Sequence, residues 1–130
     1  MSDRDDPVKP VVVLGTSRPE PSERVLREVR AGLEEEGVPF DVRRYEQTDP
    51  CALAHEAARD SPLDVGVGLT DEVLCVHHAK LPREHAVCSE STATEGSARR
   101  LGHDAARIVT GLPLKLSGAS PETDPSTGES

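Results

Sequence analysis

Residues 65–69 (Val-Gly-Val-Gly-Leu) and 72–77 (Glu-Val-Leu-Cys-Val-His) are two strand-like runs with only Thr70 and Asp71 between them. Two residues leave no length for a crossover helix, so these strands must run antiparallel. The glycines at 66 and 68 suit a place where backbone packs tightly. Upstream the rhythm is different. Val11-Val-Val-Leu14 is a continuous apolar run ending at Gly15, the pattern of a strand covered on both faces. Ser22 is a good N-cap, and Val25, Leu26, Val29 and Leu33 follow at helical spacing until Gly37 and Pro39 stop the helix. Phe40 to Tyr45 is a second extended stretch with imperfect alternation. Asp49 then caps a helix that has Pro50 at its first position and runs to about Asp60, with Leu53, Ala54, Ala57 and Ala58 facing inward.

Beyond the antiparallel pair, a loop with Pro82 leads to a fifth strand over His85–Cys88. A last helix is expected over about Thr94–Thr110, with Ala98, Leu101, Ala105, Ile108 and Leu112 along one side and Gly111 and Pro113 at its end. The order β-α-β-α-β-β-β-α has two crossover units. It predicts an α/β fold with helices on both faces of a mostly parallel sheet and one antiparallel strand.

Of the 28 Val, Leu, Ile and Phe residues, 27 lie between Val11 and Leu116, so one small aliphatic core is expected over residues 11–116. Residues 1–10 are polar. Residues 117–130 contain no Val, Leu, Ile, Phe, Tyr or Met, so burial cannot offset their ordering entropy, and both segments are expected to be disordered. The net charge of -9, with Phe40 and Tyr45 as the only aromatics, argues against a free-standing nucleic-acid binder. No apolar stretch approaches a membrane span and no signal peptide is visible, which makes the cytoplasm the expected compartment. The three cysteines, at irregular spacing, read as reduced and mostly buried.

Four places merit a chemical reading. The Gly15–Glu20 loop follows the first strand, where open α/β sheets place ligands, yet it lacks a phosphate-loop pattern and holds two prolines. Cys75 and His77 share one face of a strand, and Cys88 on the next strand would make a zinc set, without the CxxC pairs of a structural site. His77-His78 offers general acid–base chemistry, with no nucleophile pinned beside it by a motif. The ordinary reading of each is a strand-to-helix connection, buried packing, and surface or interface histidines. Glu34-Glu35-Glu36 ends the first helix, where the dipole disfavours negative charge. It is either a solvated acidic run or part of a hard-cation site completed by oxygen ligands from another chain. On either reading, Glu35→Gln in the isolated chain is expected to relieve repulsion with Glu34, Glu36 and the dipole and to be neutral or slightly stabilising.

Four collinear pieces then resemble a known family: Leu33-Glu-Glu-Glu-Gly-Val-Pro-Phe40, Ala57-Ala-Arg-Asp-Ser-Pro-Leu63 with Val65-Gly-Val-Gly, Val76-His-His-Ala-Lys-Leu-Pro82, and Asp104-Ala-Ala-Arg-Ile-Val-Thr-Gly-Leu-Pro113. They look like the small (beta) subunit of the diol and glycerol dehydratase reactivating factors, over about Val11 to Lys115. The resemblance implies a three-layer α/β/α sandwich with a five-stranded mixed sheet, similar to the beta subunit of the coenzyme-B12-dependent dehydratase. It implies a non-catalytic subunit of a molecular chaperone whose large subunit is the ATPase, in a heterotetramer. That complex releases damaged cobalamin from inactivated dehydratase by subunit exchange. Cobalamin is not expected to bind this chain directly. Glu35, the middle glutamate of the EEEGVPF piece, is implied as a ligand to Mg²⁺ or Ca²⁺ at the interface with the large subunit. The Gly15–Glu20 loop departs from the family pattern, and the acidic tail is extra. Two alternatives stand beside this reading: a stand-alone ligand-binding protein or enzyme using the Gly15–Glu20 loop, and a dehydratase medium subunit.

Overall fold

The computed structural model describes residues 10–94 and 96–111. Its elements are β1 (Val12–Thr16), α1 (Glu23–Glu35), β2 (Phe40–Arg44), α2 (Pro50–Arg59), β3 (Val65–Leu69), β4 (Val73–His78), β5 (Cys88–Ser91) and α3 (Ser97–Thr110). The sheet order is β2-β1-β3-β4-β5. β1 pairs in parallel with β2 and β3, while β4 is antiparallel to both β3 and β5. Four strands therefore point one way and β4 points back. The expected α/β sandwich of three layers, with a five-stranded mixed sheet, is the observed fold.

Strand alternation divides the core between two faces. Val12 and Leu14 of β1, Val65, Val67 and Leu69 of β3, and Leu74 and Val76 of β4 pack against Val25, Val29 and Leu33 of α1 and Leu101 and Ala105 of α3. Val13, Gly15, Gly66, Gly68, Cys75 and His77 fall on the other face, which α2 covers. The glycines of β3 are a floor for that helix. A Cβ on Gly66 would stand 2.1 Å from the Ala58 nitrogen, and one on Gly68 would stand 2.5 Å from the Pro50 carbonyl oxygen. Ala54, Ala57 and Ala58 complete the contact with no side chain longer than a methyl group.

The helix starts follow their caps. The Ser22 hydroxyl accepts from the Val25 N–H at 3.1 Å, and the Asp49 carboxylate accepts from the Ala52 N–H at 2.9 Å. Several boundaries differ from the sequence expectation. β1 does not stop at Gly15 but carries it inside the strand, beneath Leu53 and Tyr45. The hairpin turns one residue later than expected: Thr70 faces Val73 and Asp71-Glu72 form the loop, because the Thr70 hydroxyl bonds both the carbonyl and the N–H of Val73. The fifth strand is Cys88–Ser91, not His85–Cys88. As an edge strand it alternates half-buried with exposed residues, so its inner face is marked only by Cys88 and Glu90. The last helix starts at Ser97 because Gly96 takes a left-handed conformation, φ 79°. The expected end segments, 1–10 and 117–130, lie outside the described residues apart from Pro10, as do Leu112 and Pro113. Among the described residues no helix is long and apolar enough to cross a membrane.

Candidate functional site

The acidic end of α1 is held against α3. The two helices cross where Gly32 meets Gly102, with no side chain between them. A Cβ on Gly32 would stand 2.3 Å from the Arg99 carbonyl oxygen, and one on Gly102 would stand 2.3 Å from that of Val29. This close crossing brings a basic stripe of α3, Arg99, His103 and Arg107 at four-residue spacing, alongside Glu28, Glu35 and Glu36.

The pairing is specific. Arg99 donates from Nε to Glu28 at 2.9 Å and from Nη1 to Glu35 at 2.7 Å. The His103 ring lies between two carboxylates, its Nε2 2.7 Å from Glu35 and its Nδ1 2.6 Å from Glu36. Arg107 reaches Glu36 at 3.4 Å. The Glu28 hydrogen bond first, then the charges of Glu28 and Glu35, raise the Arg99 guanidinium further into its charged range. Two guanidinium groups and an imidazole of α3 thus face Glu28, Glu35 and Glu36, the last two at the end of α1 that its own dipole makes negative. Glu34, outside this pattern, is exposed.

The acidic run is therefore neither fully solvated nor self-repelling in the folded chain, which corrects the expectation for Glu35→Gln. Both Glu35 oxygens are engaged, one by the Arg99 guanidinium and one by the His103 ring, so removing the charge should weaken the isolated chain slightly. As a hard-cation ligand Glu35 fits in a limited sense. Its side chain is 48% exposed, and each carboxylate oxygen keeps a second lone pair. Among the described residues no group of three or more His, Cys, Asp or Glu could hold a metal ion. The described residues would offer such a cation one carboxylate, and its other donors would have to come from water or another chain.

Sheet register decides the other candidates. Cys88 pairs with Val76, so its side chain lies on the α1/α3 face, while Cys75 and His77 lie on the α2 face. The zinc set is thereby split across the sheet. Burial, and then the nearby Asp104 carboxylate, push the Cys88 thiol up to about 12. His77 is fully buried. Its Nε2–H donates to the Arg83 carbonyl at 3.0 Å, and its Nδ1 accepts from the His78 N–H at 2.9 Å. With both nitrogens engaged by backbone it is a structural residue. The His78 Nδ1 accepts from the Lys80 N–H at 3.2 Å. The Gly15–Glu20 loop does line a cavity of about 370 Å³ at the carboxyl edge of β1 and β3, with Ser17, Arg18, Pro19, Pro50 and Thr70 in its wall. The wall also holds Thr48 and the Asp71 and Glu72 carboxylates, and no His, Cys or Lys.

Sequence reasoning singled out Glu35 but missed Arg99, His103 and Arg107. The signal was there: basic residues at i, i+4 and i+8 beside the small residues Ala98 and Gly102, matched by Gly32 on α1.

Comparison with known proteins bears on the same region. The profile of the dehydratase medium subunit family matches residues 9–115. The propanediol dehydratase-reactivating factor small subunit of Citrobacter freundii is 39% identical over 92 residues, covering 70% of this chain and 79% of that one. The diol dehydratase-reactivating factor small subunit of Klebsiella michiganensis is 37% identical over 90 residues, covering 68% and 72%. Among solved structures, a diol dehydratase-reactivating factor complexed with ADP and Mg²⁺ superposes with a TM-score of 0.76 at 30% identity, covering 84% of this chain and 100% of that one. A glycerol dehydratase reactivase also gives 0.76, at 34% identity, with coverage of 83% and 98%. The profile is named for the dehydratase medium subunit, but these relatives are all from reactivating factors, at identities well above the level where only a fold is shared. The chain belongs to the family of small subunits of the diol and glycerol dehydratase-reactivating factors.

Proposed function

We propose that this chain is the non-catalytic small subunit of a reactivase for a coenzyme-B12-dependent diol or glycerol dehydratase. It pairs in the cytoplasm with a larger ATPase subunit, as a heterotetramer, and the complex releases damaged cobalamin from inactivated dehydratase by exchanging subunits. The chain itself binds no cobalamin. The observation that carries this reading is the match to reactivating-factor small subunits, which extends over most of both chains in sequence and in fold. The single domain at 11–116 is the unit that exchanges.

Within this reading Glu35 is the chain's ligand to Mg²⁺ or Ca²⁺ at the interface with the large subunit. Its exposed carboxylate supports the role, and a cation with six to eight oxygen ligands takes the rest from the partner and water. Arg99 and His103 hold the side chain in place until the partner arrives, so the carboxylate is oriented before the cation is shared.

The test is reconstitution. The purified chain is combined with a candidate large subunit, nucleotide and an inactivated dehydratase, and recovery of activity on adding fresh coenzyme is followed. Recovery that requires both subunits, with no nucleotide hydrolysis by this chain alone, is expected. Recovery with the large subunit alone, or hydrolysis by this chain above a denatured control, would overturn the proposal.

A further inference from the structure

Beneath the first turn of α2 two thiols face each other. Cys51, the second residue of α2, and Cys75, on β4, have sulfurs 3.7 Å apart, and both are free. They are 24 residues apart in sequence and belong to different layers, so the fold alone brings them together. Cys51 is half-buried and Cys75 is buried. Burial, then Cys51, push the Cys75 thiol up, which keeps it protonated and inert until a partner sulfur presents itself.

We propose that Cys51 and Cys75 are a redox-active dithiol that closes into an intramolecular disulfide when a small-molecule disulfide oxidises it. The half-buried Cys51 is the sulfur an oxidant reaches. Its thiolate attacks the small disulfide, forming a mixed disulfide and releasing one thiolate, which takes up a proton. Cys75 then attacks the Cys51 sulfur and gives up its proton to the departing thiolate. The Cys51–Cys75 bond forms, the mixed disulfide breaks and the second small thiol leaves. Two protein thiols are oxidised and one small disulfide is reduced to two thiols, so the electrons balance.

The approach needed is small. The sulfurs must close from 3.7 Å to about 2.05 Å, within the reach of side-chain rotation. The bond joins the first turn of α2 to β4 and so fixes Pro50, in the cavity wall, against the sheet. Cys88 takes no part, because it lies on the opposite face of the sheet behind Val76.

The molecule contains its own control. The full chain is incubated with oxidised glutathione, and free thiols are counted before and after. The expected result is a fall from three thiols to one, with a mass lower by two hydrogens and a Cys51–Cys75 cross-linked peptide on digestion without reductant. The melting temperature should rise by roughly 14–28 °C and return on reduction, as closing a loop of this length implies. Cys88→Ser should still lose two thiols. Cys51→Ser should lose none to an internal bond. Three thiols remaining, a stable glutathione adduct on Cys51, or a bond that includes Cys88 or a second copy would each overturn the proposal.

Discussion

Replacing Gly102 by Ala tests whether the α1–α3 crossing is as close as the candidate site requires. The new Cβ would stand 2.3 Å from the Val29 carbonyl oxygen, 3.1 Å from the Gly32 Cα and 3.1 Å from the Leu33 nitrogen. Ordinary contact begins near 3.4 Å, so the first of these is short by 3.4 − 2.3, or 1.1 Å. All three neighbours are backbone, so no rotamer change relieves the clash. The helices must part by about an ångström along an interface that buries Val25, Val29, Leu33, Ala98, Leu101 and Ala105. Overpacking of this kind costs about 1–3 kcal/mol, occasionally more. Against it stands the helix preference of Ala over Gly, about 0.5–1 kcal/mol at a mid-helix position. Because the clash is severe and the escape is collective, the cost wins, and a net loss of about 1–3 kcal/mol is expected. For a folded unit of about a hundred residues this lowers the melting temperature by roughly 5–20 °C. Circular dichroism melts of the full chain measure it. Parting the helices also withdraws His103 from Glu35, so association with the large subunit should weaken beyond what lost stability explains. A melting temperature equal to or above that of the parent would show that propensity wins, that the crossing is looser than 2.3 Å implies, and that the carboxylates are not positioned this way.

Other outcomes follow from the same geometry. Glu35→Gln should leave the isolated chain slightly less stable but weaken binding to the large subunit in millimolar Mg²⁺; equal affinity, or the same loss for both chains when chelator is present, separates the metal role from a purely structural one. His103→Ala removes the partner of two carboxylates, one of them 19% exposed, and should cost about 1–2 kcal/mol by urea titration; a neutral result would mean the network is absent in solution. Cys75 and Cys88 have thiols raised by burial, so the folded state keeps protons that the unfolded chain gives up near pH 8.5. Their contribution is complete below that pH and is lost as pH rises toward about 12, and Cys88→Ser should flatten the fall in melting temperature across that window. Deleting residues 117–130 should move the melting temperature by no more than a degree or two, since no large apolar side chain is removed; a fall of many degrees would move the domain boundary.

The sequence by itself determined the alternation of elements. Caps at Ser22 and Asp49 and the helical stripes wrote α1 and α2 to within a residue. The short link at residues 70–72 forced β4 antiparallel, because three residues cannot carry a crossover. The four family pieces carried the likeness to reactivating-factor small subunits, since they are collinear and span the chain. Local pattern failed at β5 and at the start of α3. An edge strand with one covered face has little apolar signal, and Gly96 decides the helix start through its backbone angle, which composition does not announce. Tertiary structure alone decided which side chains meet. Register put Cys88 across the sheet from Cys75 and His77, and packing put Cys51 beside Cys75. The Gly32–Gly102 crossing turned an acidic helix end, unfavourable by itself, into a compensated cluster with Arg99, His103 and Arg107. Those partners lie more than sixty residues away in sequence, and local physics cannot see a charge that only the close approach of two helices supplies.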